Sequence, residues 1–206
     1  MAAPLRAQHL RQMIAQQAAR MMAEEGAQDY AYAKRKAARQ LGATDDRCLP
    51  TNAEIEQELK LHHAIYRSEE QPQHLHQLRL EALAVMRTLE KFNPHLAGAV
   101  LDGTAGRYAE TEIHLFVDSL KDVELFLLNQ KIDYQMEERH LRVGHERRRL
   151  PVFALEGRHG TIRLCVFEND DLRIAHKPGA SAASGPTRIP IPVLAAMLDE
   201  PTPATT

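Results

Sequence analysis

Two side chains able to do chemistry stand two residues apart in the run Glu112-Ile113-His114-Leu115-Phe116. Residues i and i+2 of a strand point to the same side, so on a strand this carboxylate and imidazole share one face. The carboxylate is a hard oxygen ligand of the kind Mg²⁺ takes, whereas the imidazole suits Mn²⁺ or Zn²⁺ better. Upstream, Gly103-Thr104 forms a Gly-rich turn after the apolar run Ala99 to Leu101, which reads as a strand. A glycine lets the backbone approach a phosphate closely, and the threonine hydroxyl adds a donor. Val100 to Ser119 therefore predicts strand, turn and strand, with the shape of an active site from which part of the chemistry is missing.

The elements that must position these residues fall into two halves. Leu10, Met13, Ile14, Gln17, Ala18 and Met21 recur at helical spacing, with Gly26 as the stop. Asp29 is a fitting N-cap for a second helix that Gly42 closes behind a basic last turn containing Arg39, and Ala43 to Pro50 reads as a loop. Thr51 followed by Glu54 is a capping box that opens a third helix through Ile55, Leu59 and Ile65. Gln71-Pro72 predicts a break, after which Leu75 to Leu89 carry a fourth helix as far as Asn93-Pro94. From there β-branched runs predict strands over Ala99 to Leu101, Glu112 to Val117, Arg139 to Val143, Leu150 to Leu155 and Thr161 to Phe167. Ser119 and Asp122 announce a short helix leading to a strand around Ile132, and Gly157 to Gly160 predicts an antiparallel hairpin. Lys177 to Pro186 reads as a flexible loop, Pro192 to Leu198 as a last short helix, and the PTPATT end as a disordered tail.

On these residues the chain resembles the small nucleotidyltransferase superfamily, whose signature is a Gly-Ser turn, a spacer and an Asp-x-Asp strand. The resemblance implies that Gly103 and Thr104 hold nucleotide phosphates, that Glu112 stands at the first carboxylate and binds Mg²⁺ or Mn²⁺, and that His114 stands at the second. Two metals flanking an in-line phosphoryl displacement neutralise the attacking and leaving oxygens. The motif is degenerate. His114 replaces a carboxylate, the spacer is short, and Thr161 to Phe167 carries no acid, with Glu168, Asp170 and Asp171 only at its end. The whole chain also resembles a bacterial family that joins such a domain to N-terminal helices, through Ala19 to Gly42, Leu49 to Glu56 and the Asp102 to Ser119 segment. That family brings no assigned activity with it.

Other clusters offer a different chemistry. Lys34, Arg35, Lys36 and Arg39 lie beside Tyr30 and Tyr32, and Arg147, Arg148 and Arg149 follow His145. Such cations release counterions on meeting phosphates, and the tyrosines can stack on bases, as RNA or DNA binding requires. His62-His63 and His74-x-His76 flank the expected helix break, and because His74 and His76 do not share a helical face, these histidines read as surface residues. Cys165, in mid-strand, reads as a small core hydrophobe.

The bulk composition bounds the alternatives. A chain of 206 residues has room for one core and a helical extension. A formal charge of -2 excludes a generally basic nucleic-acid coat, and two cysteines without paired spacing support neither a disulfide framework nor a zinc-thiolate cluster. No apolar run spans a bilayer, so a cytoplasmic protein with no membrane partner is expected. The expected fold is α+β, with an N-terminal helical region (1-93) packed against a nucleotidyltransferase-like mixed β-sheet (94-200) ahead of the tail (201-206). The expected function is nucleotide binding on a nucleotidyltransferase-like scaffold that is catalytically weak or inactive, an enzyme only if transfer survives. The alternative is a non-enzymatic module that binds RNA, DNA or a protein through the basic clusters.

Overall fold

The structure, a computed structural model, describes residues 3–25, 29–43, 48–66, 70–143, 146–173 and 187–199. Among them are seven α-helices and a six-stranded mixed sheet, with four of the helices preceding the first strand. No described helix is long and apolar enough to cross a membrane. The chain divides into two compact units: the described residues of Met1–Pro72 and Gly103–Ala109 form one, and those of Gln73–Asp102, Glu110–Lys177 and Pro186–Thr206 form the other. The expected stop at Gly26, the loop from Lys177 to Pro186 and the tail lie outside the described residues, as do residues 44–47 of the loop from Ala43 to Pro50.

In the first unit, α1 (Ala3–Glu25), α2 (Tyr30–Gln40) and α3 (Asn52–Tyr66) share one core. Of the face expected for α1, Ile14, Ala18 and Met21 are buried, and the seam takes in further alanines in place of Met13. Met13 is 39% exposed, while Ala15, Ala18 and Ala19 of α1 and Ala33, Ala37 and Ala38 of α2 are buried around Ile14, Ile55 and Leu59. Alanine lets helix axes approach closely, and a reading weighted toward large side chains passes over it. Asp29 caps α2 by accepting from the N–H of Ala31 at 2.7 Å. The capping box forms as expected: Glu54 accepts from Thr51 N at 2.6 Å, and Thr51 Oγ1 accepts from Glu54 N at 3.3 Å. Arg11 locks the box by donating from Nε and Nη2 to Glu54, each at 2.9 Å.

Pro72 does not break the chain. It sits in the first turn of α4 (Glu70–Thr88), where an N–H would have no intrahelical acceptor and proline is tolerated. The helix ends at Thr88, and after the 3₁₀ turn Glu90–Phe92 the left-handed φ of 50° at Asn93 turns the chain into the sheet.

The sheet of the second unit has the order β3-β4-β5-β2-β1-β6. Its strands are β1 (His95–Ala97), β2 (Thr111–Val117), β3 (Gln135–Val143), β4 (Glu146–Glu156), β5 (Thr161–Glu168) and β6 (Arg188–Pro190). Only β2 and β5 run parallel; the other neighbours are antiparallel, including the hairpin expected at Gly157. Two expectations need correction. Ala99 to Leu101 is not a strand but lies in the short helix α5 (Gly98–Asp102), because the strand ends at Ala97 and Gly98 turns the chain. Ile132 lies in the turn after α6 (Leu120–Asn129), and β3 starts only at Gln135. The last helix, α7, spans Ile191–Asp199.

The sheet has two unlike faces. Ile113 and Leu115 of β2, Leu164 and Val166 of β5 and Phe153 of β4 alternate onto one of them and are almost wholly buried. Val85 of α4 and Leu89 just past its end, Leu127 of α6, and Leu155 and Ile162 of the hairpin line one cavity there, which places both helices on this face. The opposite face carries Glu112, His114 and Phe116 with Arg163, Cys165 and Phe167, so the polar residues singled out in the sequence sit on the sheet's second face.

Candidate functional site

The parallel ladder between β2 and β5 builds the centre of this second face. It sets His114 opposite Cys165 and Glu112 opposite Arg163, while antiparallel β1 places His95 beside His114 on the other side. Glu112 and His114 therefore do share a face, and they touch: His114 Nε2 donates to Glu112 Oε1 at 2.5 Å. His114 is 7% exposed and packs against the Phe167 ring with centroids 4.6 Å apart. Its Nδ1 is buried and meets no hydrogen-bond partner. Loss of water at the sheet face raises the Glu112 carboxyl, but the hydrogen bond from His114, with the charges of His114, Arg139 and Arg163, outweighs this and holds it below its usual value. Cys165 shows the opposite result. Burial, aided by the Glu112 charge, pushes its thiol well above the usual range, so the unligated side chain is a neutral thiol.

The glycine beside this pair is not the one expected. Gly103, with φ 81°, follows the last residue of α5 and has the left-handed conformation that ends a helix. Its carbonyl and that of Ala105 accept from Gln71 Nε2, while the carbonyl of Thr104, a residue 4% exposed, accepts from His63 Nε2 at 3.3 Å. The junction from strand to glycine to helix lies at Gly98, between β1 and α5, with φ 66°. A Cβ built on Gly98 would stand 3.5 Å from Glu112 Oε2. A strand ending at Ala97, four residues before the end of the apolar run at Leu101, conceals this from the sequence. Because 3.5 Å is an ordinary contact, Gly98→Ala is expected to cost about 1–2 kcal/mol through its backbone alone, seen as a lowered midpoint in chemical denaturation.

Of the three acids at the end of β5, Asp171 is engaged away from Glu112. Asp171, in the turn Asn169–Leu172, is 3% exposed and accepts from Arg148 and from the Glu168 N–H. What stands beside Glu112 on the face is a four-member ion network: Arg163 donates to Glu110 and Glu137, and Arg139 joins the same two carboxylates at 3.2 and 2.7 Å. Arg188, on β6, lies with its guanidinium 4.8 Å from the Phe116 centroid and donates to the carbonyls of Asp171 and Leu172, while its Nη1 is buried without a partner. Neither Arg163 nor Arg188 stood out in the sequence, since each is a lone arginine in a β-rich run.

The basic clusters are largely occupied within the chain. Lys34 donates to the Pro50 carbonyl at 2.9 Å and to Asn52 at 2.8 Å, Lys36 pairs with Glu25 at 2.7 Å, and Arg35 donates to the Ala31 carbonyl. Arg39 and Arg147 are exposed, Arg148 is held by Asp171, and Arg149 pairs with Glu138 at 3.3 Å. These last three arginines lie in β4. His63 is 3% exposed, contrary to the surface reading of the histidines, because α3 turns it inward to Thr104.

No family model, curated protein or solved structure matches this chain.

Proposed function

We propose that this chain is a nucleotidyltransferase-like protein that binds a nucleotide without transferring it. The observation that carries the reading is the passage from β1 through left-handed Gly98 and α5 to β2, which brings a glycine against the ionised Glu112 on the face that also carries Arg188. A triphosphate needs donors, and the buried, unpartnered Nη1 of Arg188 on that face is one. Transfer needs more. Two Mg²⁺ ions in a phosphoryl-transfer site require several hard oxygen ligands, but the residues flanking Glu112 are an imidazole, a thiol and a guanidinium. That donor set does not fit a Mg²⁺ pair.

The test is titration of labelled ATP, GTP, CTP and UTP into the full chain with Mg²⁺ or Mn²⁺, repeated on Arg188→Ala and Glu112→Ala, alongside an assay for labelled transfer products. Binding that weakens at least tenfold in Arg188→Ala, with no product, is the expected result. Absence of binding by the unsubstituted chain removes the nucleotide reading, and a labelled product that disappears in Glu112→Ala overturns the loss of catalysis.

A further inference from the structure

We propose that Glu112, His114 and Cys165 form a site for one divalent cation of the Zn²⁺ class. One donor atom from each, a carboxylate oxygen, an imidazole nitrogen and a thiol sulfur, lie within 4.8 Å of one another. The backbone fixes their neighbourhood: Glu112 and His114 are two apart on β2, and Cys165 is the ladder partner of His114 on β5. Tetrahedral Zn²⁺ with bonds of about 2.0–2.3 Å sets its ligands about 3.5 Å apart, so separations of up to 4.8 Å must close by about an ångström and the 2.5 Å contact of Glu112 with His114 must open by about as much, both within the reach of χ rotations.

The chemistry of the donors selects the ion. Mg²⁺ and Ca²⁺ take oxygen, whereas a mixed nitrogen, oxygen and sulfur set suits Zn²⁺, and Co²⁺ follows it in such sites. A second observation points the same way. His114 has a side chain 8% exposed and a buried Nδ1 with no partner, although buried polar atoms are as a rule satisfied. Because no hydrogen bond holds Nδ1, a turn of the ring about χ2 can set one nitrogen on an ion shared with Glu112 and Cys165. Glu112, with 36% of its side chain exposed, gives the ion its way in and leaves a fourth position open to water or a ligand. On binding, the Cys165 S–H bond breaks, its proton passes to solvent and the thiolate sulfur ligates the ion; no electron changes hands.

The experiment uses metal ions alone, so its outcome is independent of nucleotide binding. Co²⁺ added to the full chain is expected to bind with one equivalent showing a thiolate-to-cobalt charge-transfer band in the near ultraviolet, which Zn²⁺ abolishes by displacement. The band should vanish in Cys165→Ser and persist in Cys48→Ser, the chain having only these two cysteines. Glu112→Gln, at the most exposed of the three positions, should keep the band and weaken Zn²⁺ at least tenfold. No band in the unsubstituted chain overturns the proposal, as does a band lost in Cys48→Ser; these two results decide it even where Cys165→Ser fails to fold. Zn²⁺ affinity unchanged in Glu112→Gln removes the carboxylate from the site and overturns the three-ligand assignment.

Discussion

Phe167→Ala is expected to destabilise the chain by about 4 kcal/mol, measured as a lower denaturant midpoint at an unchanged slope. Phe167 is 2% exposed and sits on the second face of β5, stacked on Phe116 with centroids 5.4 Å apart and against His114 at 4.6 Å. Around it lie Val143, Leu150, Val152 and Cys165, so this face is a true core beside its polar centre. Truncation to alanine loses the transfer energy of the ring and leaves a cavity that neighbours held in a sheet ladder close poorly. It also removes the wall against which His114 is fixed. The variant should therefore lose affinity for Co²⁺ even where it remains folded, because a ligand free to change rotamer is no longer preorganised. A stability loss below about 1 kcal/mol would mean that the ring is replaceable by relaxation of its neighbours.

How far the sequence announced this arrangement depends on the kind of signal. Local chemistry was legible: the N-cap at Asp29, the Thr51–Glu54 box and the Gly157 hairpin appear as read, because each is decided by residues within four positions of one another. The shared face of Glu112 and His114 was legible for the same reason. What the sequence concealed depends on partners distant along the chain. Cys165 becomes interesting only when the parallel ladder brings β5 beside β2, more than forty residues away in sequence. Gly98 was missed because an apolar run of Ala, Val and Leu supports strand and helix alike, so the glycine that divides β1 from α5 was read as a residue before a strand instead of the junction itself. The basic run at Lys34 to Lys36 misled in the other direction. Its charge is plain in sequence, but its acceptors, the Pro50 carbonyl, Asn52 and Glu25, are set by the fold.

The same dependence on distant partners makes Arg163 the position where one substitution should matter most among the charged residues. Its side chain is 14% exposed and donates to both oxygens of Glu110 and to Glu137, tying the entrance of β2 to β5 and β3. Arg163→Ala leaves two carboxylates facing only Arg139, whose contact with Glu110 is 3.2 Å, and is expected to cost about 3 kcal/mol, because a partly buried carboxylate deprived of its partner keeps its desolvation penalty. Arg163→Lys should recover only part of this, since an ammonium cannot match the two Glu110 oxygens at once. The effect also has a pH signature. Desolvation raises the Glu110 carboxyl, but its hydrogen bonds and charge contact with Arg163 more than offset this, so the folded value lies below the ordinary one. A carboxyl whose folded pKa is depressed adds stability above its unfolded pKa, about 4.3 for glutamate, and loses it as the pH falls toward the folded value. The difference between the unsubstituted chain and Arg163→Ala should therefore be full at neutral pH and shrink steadily below about pH 4. Denaturant unfolding of both proteins across that range measures it, and a difference that grows on acidification would show that Arg163 acts through packing of its stem instead of through Glu110.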